Sequence, residues 1–526
     1  MIENLPSGWA SISLGSLGAW RGGGTPSKRV AAYWENGTVQ WVSPKDMKRH
    51  LIDSAQDQIT EQAVAESATS LVPEMSVLMV TRSGILEHSF PVAVNTVSVA
   101  LNQDLKAVTP RGGVGALYTS YFLKARAQDI LRKCSKDGTT VSSIDTDALR
   151  GYEVALAPVA EQERIVSRID ELFSRIDEGE RALARVGKLV ERYRQSVLKA
   201  AVTGELTRDW RVARKAAGEP LESGQALLER ILIARREAWE AAELAKLHAK
   251  GKPPANDAWK KKYKPPQPPD TTDLPDLPEG WVWASVEQLV SEFGNGLSRK
   301  PSSDPTGLPI LRISAVRSML VDGSDVRYYE PEVGEKLDAF TVRRGDLLFT
   351  RYNGSRALVG VCGVYRDERQ VLHPDKLIKA RVVAAGLISP DFIAAACSAG
   401  VTMAHIKGCV KTSAGQHGIA GSDIKRAPVP LPPQAEQVCI ANFVDAVQLG
   451  CAESVASLDA ENRRSAALRQ SILKAAFSGQ LVPQDPNDEP ASALLERIAA
   501  ERASAAPAKA RRGRKRAASG SALQSD

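Results

Sequence analysis

The sequence contains a tandem duplication, and this duplication limits the possible folds more than any other feature. The repeated segments keep their order and lie about 270 residues apart: LPSGW at Leu5–Trp9 and LPEGW at Leu277–Trp281, AEQERI at Ala160–Ile165 and AEQVCI at Ala435–Ile440, RQSVLKAAVTGEL at Arg194–Leu206 and RQSILKAAFSGQL at Arg469–Leu481. Solenoid repeats are far shorter. The pattern therefore predicts one large unit duplicated in tandem.

Between the shared segments the two copies diverge. The poorly matching stretches are residues 10–155 and 282–430, and each is rich in short apolar runs bounded by Gly, Pro and polar residues. Such runs are typical of mixed α/β domains. Two inserts that diverge within one fixed frame are what two different ligand specificities require, although plain sequence drift would give the same pattern.

The shared frame is predicted to be helical. No proline occurs from Val159 to Glu219 or from Gln434 to Val482. Apolar residues recur at steps of three and four in the first stretch and less regularly in the second: Ile165, Ile169, Leu172, Ile176, Leu183, Val186, Val190, Tyr193 and Val197, then Ile440, Val444, Val447, Cys451, Leu458, Leu468 and Ile472. This spacing favours two rods of roughly 60 Å paired as a coiled coil. One amphipathic helix packed on each domain is the alternative.

Polar loops with Arg, Lys and Gly recur at matching places in both inserts. Thr81-Arg82-Ser83-Gly84 and Thr350-Arg351 each follow a predicted strand, and such loops suit close approach to a nucleic-acid groove. Ordinary surface turns would look the same. The residues predicted to bind DNA are Lys28, Lys45, Arg82, Ser83, Lys136, Thr139, Arg299, Lys300, Arg351, Asn353, Ser355, Arg356, Lys411, Gln416 and His417. Trp41, beside one of these loops, is assigned to the core.

Composition and missing motifs narrow the function. The net charge of +7 is concentrated in the tail around Lys509–Arg516, so DNA-binding surfaces must come from local clustering of cations. The six cysteines show no zinc spacing and are expected to be reduced. No methyltransferase, ATPase, nuclease or triad motif is recognisable. The N-terminus does not look like a signal peptide, and the Phe392–Met403 stretch is too short to span a bilayer.

These segments together resemble the specificity subunits of Type I restriction-modification systems. The carriers are the two LPxGW starts, the AEQ segments, the RQSxLKAAxxGxL segments and the Pro/Lys linker that ends in LPDLPEGW. The resemblance implies a non-catalytic, cytoplasmic phage-defence protein that binds double-stranded DNA at a bipartite target. It also implies two methyltransferase subunits and restriction/translocase subunits as partners. S-adenosylmethionine, ATP and Mg would act in those partners, with no cofactor or metal bound by this chain.

The implied fold class is α+β, with two mixed α/β target-recognition domains separated by two long antiparallel coiled-coil helices in a pseudo-two-fold tandem duplication. The expected boundaries are 1–158 for the first recognition domain, 159–250 for the first conserved helical region, 251–276 for an extended Pro/Lys-rich linker, 277–432 for the second recognition domain, 433–503 for the second helical region and 504–526 for a disordered basic tail. Two other functions stay open: a DNA-modifying enzyme with an unrecognised site, and a coiled-coil scaffold that binds only proteins.

Overall fold

A computed structural model of the chain describes residues 5–136, 141–219, 222–384, 386–413 and 415–504. The basic tail from residue 505 onward, and Thr139, lie outside these ranges. The chain divides into two compact units. Unit 1 joins the described parts of Met1–Leu183 and Ala460–Asp526, and unit 2 is Ala184–Asp459. Unit 1 is therefore built from both ends of the chain.

The strands of unit 1 belong to three sheets. Their bounds are β1 Ala10–Ser13, β2 Gly18–Gly22, β3 Val39–Val42, β4 Leu51–Ile52, β5 Asp57–Ile59, β6 Leu71–Val72, β7 Val77–Val80, β8 Val92–Asn95, β9 Val99–Leu101, β10 Leu105–Pro110 and β11 Glu153–Leu156. The sheet orders are β2-β10-β7-β8-β4, β5-β3-β9-β6 and β1-β11. Strands β7 and β8 are buried along their whole length, as expected from their unbroken apolar sequences.

The described part of the chain up to Ala249 contains five short helices and two long ones, which are interspersed with these strands. They are α1 Glu61–Glu66, α2 Ala116–Ala125, α3 Ala127–Cys134, α4 Thr146–Gly151, α5 Val159–Val202, α6 Arg208–Ala216 and α7 Gly224–Ala249. Helix α5 is 44 residues long and begins in unit 1. The first two residues of its predicted apolar seam, Ile165 and Ile169, are fully buried in the unit 1 core. The proline-free stretch from Val159 to Glu219 thus contains two helices, because α5 ends at Val202 and α6 follows it at Arg208–Ala216.

Unit 2 contains the second set of strands and helices. The strands are β12 Val282–Ser285, β13 Val290–Asn295, β14 Leu308–Leu311, β15 Val316–Arg317, β16 Met319–Val321, β17 Val326–Tyr329, β18 Thr341–Val342, β19 Leu347–Thr350, β20 Tyr352–Asn353, β21 Cys362–Tyr365, β22 Val371–Leu372, β23 Leu377–Val382, β24 Lys411–Ser413, β25 Gln416–Gly418 and β26 Pro428–Leu431. The helices are α8 Val286–Leu289, α9 Pro390–Ser398, α10 Gly400–Gly408 and α11 Gly421–Lys425, and α12 Gln434–Ala476 begins here.

The sheets of unit 2 repeat those of unit 1. Their orders are β13-β23-β19-β21-β16-β15, β17-β14-β22-β18 and β12-β26, with an added sheet β20-β25-β24. The parallel pairs recur as well: β3 with β9 and β4 with β8 in unit 1, and β14 with β22 and β16 with β21 in unit 2. The duplication therefore reaches into the inserts, where sequence similarity is hardly visible.

Each unit contains parts of both long helices. In unit 1, Arg469 of α12 binds Asp177 and Glu180 of α5, and its guanidinium lies 5.1 Å from the centre of the Phe173 ring. In unit 2, Gly187 of α5 lies against Leu458 of α12. The apolar seam is buried near Ile165 and Ile169 but exposed at its middle, so the regular heptad pattern does not correspond to continuous burial.

Helix α12 is long and apolar enough to cross a membrane, with a mean hydropathy of 1.3 over its most apolar window. The expectation from Phe392–Met403 had overlooked this helix. A single helix of this kind is weak evidence for a membrane span, because core helices pass the same test of length and composition. Ile440 and Val444 near its start lie in the core of unit 2.

The final helix, α13 Ala491–Ser504, packs on the beginning of the chain within unit 1. The backbone N–H of Ala491 donates to the carbonyl of Gly8 (2.8 Å), and Leu494 is buried in the unit 1 core. In unit 2 the start of α7 does the same, since the N–H of Gly224 donates to the carbonyl of Gly280 (2.6 Å). The sequence LLERI occurs in both copies, at Leu227–Ile231 and Leu494–Ile498, and these two segments thus occupy equivalent places in their units.

The Pro/Lys-rich segment after α7 is not extended throughout. Residues Asp257–Lys262 form a 3-10 turn, and the Trp259 ring stacks on Trp239 of α7 with ring centres 6.0 Å apart. Tyr263 packs on the same ring at 5.3 Å and its hydroxyl accepts from Arg235 (3.0 Å). Burial of aromatic surface orders this segment, and the proline and lysine content alone did not reveal those partners.

A buried tryptophan–glutamate hydrogen bond explains two of the repeated motifs. In unit 1 the Trp9 indole N–H donates to Glu161 Oε2 at 3.0 Å, and in unit 2 Trp281 donates to Glu436 Oε2 at 2.9 Å. Glu161 is 1% exposed and Glu436 is fully buried. The Trp of each LPxGW segment thereby fixes the first turn of a long helix on its own domain.

The glutamine after each glutamate fixes the same turn a second time. Gln162 accepts from the N–H of Gly115 (3.0 Å) and donates to the carbonyl of Ala157 (2.9 Å). Gln437 accepts from the N–H of Ser389 (3.0 Å) and donates to a backbone carbonyl at 3.1 Å. The repeated AEQ segments are therefore structural: they satisfy buried backbone groups at the junction of domain and helix.

The two glutamates differ in their second oxygen. Glu436 Oε1 accepts from the Thr207 hydroxyl (2.6 Å) and from Arg211. Within the described part of the chain, Glu161 Oε1 is buried without a hydrogen-bond partner. Burial raises the pKa of Glu161, and the Trp9 hydrogen bond only partly offsets this. The unit 1 carboxylate is thus the less well compensated of the two.

We predict that Glu436→Gln and Glu161→Gln have different effects on stability. Glu436→Gln removes the charge that Arg211 needs and should lower the free energy of unfolding by ~2–3 kcal/mol. Glu161→Gln removes a poorly compensated buried charge and should change it by less than ~1 kcal/mol at neutral pH. Chemical denaturation of the two variants and the wild type measures this, and equal losses would contradict it.

The pH dependence gives a second readout. Because the folded-state pKa of Glu161 is raised, the folded wild type binds more protons than the unfolded chain, and stability falls as pH rises through the raised value. Glu161→Gln cannot ionise, so its stability relative to wild type should improve from pH 4 to pH 7 (about the range where glutamate titrates). A difference that does not change with pH argues against this account.

Candidate nucleic-acid interface

Two of the loops predicted from the sequence meet in unit 2. Strand β20, which follows Arg351, pairs with β25, and β25 pairs with β24. Asn353 lies opposite His417, and Ser413 lies opposite Gln416. The small sheet thus brings the Arg351–Arg356 loop together with the Lys411–His417 hairpin, although about 60 residues separate them in sequence.

A third loop joins them through a segment that sequence reasoning missed. The N–H of Leu297 donates to the His373 carbonyl (2.9 Å), and the N–H of Asp375 donates back to the Leu297 carbonyl (2.8 Å). The N–H of Arg351 donates to the carbonyl of Lys376 (2.8 Å). Residues 373–376 therefore lie between the 295–300 loop and the loop after β19.

The available signal for this segment was its counterpart in the first copy. LNQD at Leu101–Asp104 and LHPD at Leu372–Asp375 keep the spacing of the duplication. Their residue types are unlike, and only the acidic residue and the leading leucine match. Lys376, which follows the second of these segments, is exposed and is absent from the sequence-predicted set.

Several cations on these unit 2 loops are exposed and unpaired. Within the described residues, no hydrogen bond or ion pair engages the side chains of Lys300, Arg356, Lys376 or Lys411. Gln416 is exposed as well, and His417 Nδ1 lies 2.8 Å from the Thr412 hydroxyl. Unpaired cations beside amide and imidazole groups suit contact with phosphates and base edges.

Other predicted residues of unit 2 already have partners. Arg299 pairs with Glu332 and Glu335, and its guanidinium lies 4.5 Å from the centre of the Tyr329 ring. A DNA contact would require it to leave these groups. Asn353 Oδ1 accepts from the N–H of Ser355 (3.0 Å), which leaves the Asn353 amide N–H groups and the exposed Ser355 hydroxyl at the loop surface.

Unit 1 repeats this arrangement with different side chains. The backbones of Arg82 and Ser143 form an isolated antiparallel β-bridge. The N–H of Ser83 donates to the Ser142 carbonyl (3.0 Å), and the N–H of Lys136 donates to the Ser143 carbonyl (2.9 Å). Lys136 also lies 3.7 Å from an oxygen of Asp145. The Arg82 loop is thus a neighbour of residues 135–136 and 141–144, as the corresponding segments of unit 2 are of each other.

The remaining unit 1 residues follow the same plan. The N–H of Gly23 donates to the Leu105 carbonyl (3.3 Å), and the N–H of Thr81 donates to the Asp104 carbonyl (2.8 Å), so residues 102–105 lie between the 21–28 loop and the Arg82 loop. Ser83 accepts from the N–H of Ile85 (3.4 Å) and caps a 3-10 turn, which gives it a structural role.

Lys28 and Lys45 are exposed, and their side chains carry no hydrogen bond or ion pair within the described residues. Trp41, just before Lys45, is 6% exposed and its indole donates to the Gly24 carbonyl (3.0 Å). The prediction that Trp41 belongs to the core agrees with this burial. The hydrogen bond from Trp41 also holds the 21–28 loop in place.

Two buried groups support residues 373–376, which we call the central segment of unit 2. His373 is fully buried, and its Nδ1 lies 2.7 Å from the Phe340 carbonyl. Burial lowers the pKa of His373 to about 4, so the ring is neutral at physiological pH. Lys379 is buried, and its ammonium group donates to the Thr341 carbonyl (2.9 Å) and pairs with Glu292 (3.2 Å).

Glycine permits the close approach of these loops. A Cβ atom on Gly296 would lie 2.1 Å from the His373 carbonyl oxygen, and one on Gly23 would lie 1.8 Å from the Asn102 carbonyl oxygen. Both distances are far too short for a side-chain atom. Only glycine therefore lets the 295–300 loop lie against residues 373–376, and the 21–28 loop against residues 102–105. The glycines near the start of each insert are therefore explained by contact rather than by flexibility.

Comparison with known proteins agrees with the geometry. A family model for the Type I restriction modification DNA specificity domain matches residues 6–185. The EcoKI specificity subunit of Escherichia coli (strain K12) is 32% identical over 387 residues, covering 71% of this chain and 69% of that protein. The EcoR124I/EcoR124II specificity subunit of Escherichia coli is 44% identical over 170 residues, covering 32% of this chain and 42% of that protein.

The chain therefore belongs to the family of Type I restriction-modification specificity subunits. These relatives are DNA-recognition components rather than catalysts. A solved structure concerning complex assembly and conformational transition of the type I R-M system contains a chain of similar fold, with a TM-score of 0.59 at 17% identity, covering 91% of this chain and 100% of that one. The resemblance seen in the sequence is confirmed.

We predict that Gly296→Ala separates the 295–300 loop from residues 373–376. The added methyl group meets the His373 carbonyl and should cost ~1–3 kcal/mol through the forced backbone shift. Gly294→Ala is the matched control, because a Cβ there meets nothing within 4 Å. Chemical denaturation gives the cost, and hydrogen exchange of the Asp375 amide locates it. Equal stability of the two variants would show that the loop moves freely.

Proposed function

We propose that this chain reads a bipartite DNA target, with one half-site contacted by each unit. The observation that carries the proposal is the recurrence of the same loop cluster at the same place in both units. Both clusters are built on the same sheet order, and their exposed side chains differ. Two domains with the same fold but different contact residues are suited to recognise two different short DNA sequences.

The chemistry of each cluster supports binding to a duplex. Lys28 and Lys45 in unit 1, and Lys300 and Lys376 in unit 2, supply charge for phosphate contacts, which position a protein on DNA. Arg82 supplies a guanidinium group, and Asn353 and Gln416 supply side-chain amides. These groups distinguish base edges through paired hydrogen bonds. The chain itself is proposed to be non-catalytic and to bind no cofactor or metal.

The long helices are proposed to pair antiparallel as a coiled coil and to hold the two recognition domains apart. The contacts of Arg469 with Asp177 and Glu180 support this pairing in unit 1, and that of Gly187 with Leu458 supports it in unit 2. Helices of 44 and 43 residues are long enough to set a separation of several tens of ångströms. In this proposal they fix the gap between half-sites.

Partner subunits are proposed to dock on the helical frame. In unit 2 a groove of about 540 Å³ is lined by Leu189, Tyr193, Phe443 and Cys451, and the first two side chains are 59% and 55% exposed. Exposed apolar patches of this kind mark protein interfaces. The duplicated frame is proposed to dock two methyltransferase subunits, one on each copy. These would supply S-adenosylmethionine chemistry, and restriction/translocase subunits would use ATP and Mg in the cytoplasm.

The central test exchanges one recognition domain. We predict that replacing residues 282–430 with the equivalent stretch of a relative changes one half of the target and leaves the other half and the gap unchanged, because each loop cluster is contained in one unit. The chimera and the wild type are produced with their methyltransferase subunits, and methylome sequencing reads both targets. A change in both half-sites would refute independent readers, and the absence of any site-specific methylation with the wild type would refute the proposed function.

A second prediction concerns the gap. A seven-residue helical insertion after Glu178 together with one after Ala467 adds ~10 Å to both helices while keeping their apolar positions in phase. These places lie opposite each other in unit 1, as the Arg469 contacts show. We expect a longer non-specific gap with both half-sites unchanged, measured by methylome sequencing. The control carries only one insertion and should be inactive. An active double variant with the original gap would show that the helices do not set the spacing.

A further inference from the structure

Arg82 and Arg351 occupy equivalent places in the two units but have different surroundings. Each follows a buried threonine at the end of a strand, Thr81 or Thr350. Arg82 is exposed, and no hydrogen bond or ion pair engages its guanidinium within the described residues. Arg351 is half-buried, and its guanidinium carbon lies 4.7 Å from the centre of the Tyr352 ring.

The Arg351 side chain is also tied to the central segment. Nη1 donates to the Asp375 carbonyl at 3.4 Å, and the backbone N–H donates to the Lys376 carbonyl at 2.8 Å. Its Nε is buried and has no partner within the described part of the chain. Of the five N–H groups of the guanidinium, one donates to the backbone and one is buried, and the side chain as a whole is held against the Tyr352 ring.

Tyr352 connects Arg351 to the hairpin that contains β24 and β25. It pairs with Gly418 across the small sheet, and a Cβ atom on Gly418 would lie 2.7 Å from two carbons of the ring. The ring therefore lies directly on the glycine backbone. Arg351 covers the same ring, so the side chains of Arg351 and Tyr352 link residues 373–376 to the 411–418 hairpin.

We propose that Arg351 is a positioning residue that holds the 411–418 hairpin against the central segment and does not touch DNA, whereas Arg82 contacts DNA directly. This inference rests on the proposed function for Arg82 and for the hairpin, but the role of Arg351 within the fold does not. The duplicated Thr-Arg pair thus performs two different tasks. The residue that follows it, serine in unit 1 and tyrosine in unit 2, determines which task the arginine performs.

A DNA-independent experiment tests the positioning role. Hydrogen exchange of the full chain is followed at the amides of Lys411–Ser413 and Gln416–Gly418 in wild type, Arg351→Ala, Arg351→Lys, Tyr352→Ala and Lys376→Ala. We expect faster exchange of the hairpin in the first three variants and wild-type exchange in Lys376→Ala, whose side chain is exposed and unpaired. Lysine should not replace Arg351, because it lacks the planar group that covers the ring. Wild-type exchange in Arg351→Ala would overturn the proposal.

DNA binding then separates positioning from contact. The complex with its methyltransferase subunits is titrated with a duplex that carries the methylated target, over a range of salt concentrations. Loss of one phosphate contact lowers the salt slope by ~0.9, whereas loss of one base contact weakens discrimination at one position by roughly 5- to 150-fold. We expect one of these effects for Arg82→Ala. For Arg351→Ala we expect weaker binding, an unchanged salt slope and reduced discrimination over the whole unit 2 half-site.

The outcomes are distinguishable. If Arg351→Ala lowers the salt slope, or Arg351→Lys restores wild-type binding, then Arg351 contacts phosphate and the positioning role is wrong while the proposed function stands. If Arg82→Ala binds like wild type, the contact role of Arg82 is wrong. If the wild-type complex does not prefer its methylated target over an unrelated duplex, the proposed function fails, and the hydrogen-exchange result still decides the role of Arg351. Thermal unfolding of each variant verifies that it is folded.

Discussion

The structure depends on a buried indole–carboxylate hydrogen bond that occurs once in each unit. A carboxylate removed from water is costly unless its oxygens are satisfied. Trp9 and Trp281 each satisfy one oxygen of a glutamate in the first turn of a long helix. This fixes where the helix starts relative to the first and last strands of its domain, β1 and β11 or β12 and β26. A domain that varied at this junction would lose the direction of its helix, so the junction has to stay constant while the loops are free to differ.

The constant junction leaves the variation to the loops that carry the predicted DNA-binding residues. The loops there rest on backbone hydrogen bonds, such as those joining Leu297 to His373 and Gly23 to Leu105, which do not depend on side-chain identity. Gly296 and Gly23 are required where two backbones approach too closely for a Cβ atom. Side chains at the loop tips can therefore change without loss of the scaffold. This separation of scaffold from surface is the physical condition for a recognition domain whose target can change while its fold persists.

Much of this organisation could be predicted from the sequence. Proline-free heptads predicted the two long helices, and the repeated segments predicted two equivalent domains. Contacts between distant residues could not be predicted. The ion pairs of Arg299 depend on Glu332 and Glu335, more than thirty residues away, and the ordering of the linker depends on Trp239. Residues 373–376 lacked the cation-rich composition that marked the other loops. Corresponding loops of the two inserts could be matched because the duplication repeated each of them, whereas the exposure of each side chain depends on packing that one sequence does not encode locally.

The two Thr-Arg loops show why a repeated motif does not imply a repeated role. Backbone geometry places Arg82 and Arg351 alike, since each strand end is fixed by the same sheet order. The free energy of a guanidinium, however, depends on what lies within a few ångströms. Tyr352 offers an aromatic face that attracts the cation, and Asp375 adds a carbonyl, whereas Ser83 is already occupied in capping the next turn. A half-buried arginine with these partners resists extension toward a ligand. Duplication thus conserves the position of a side chain, and its immediate neighbour determines whether that side chain is available for binding.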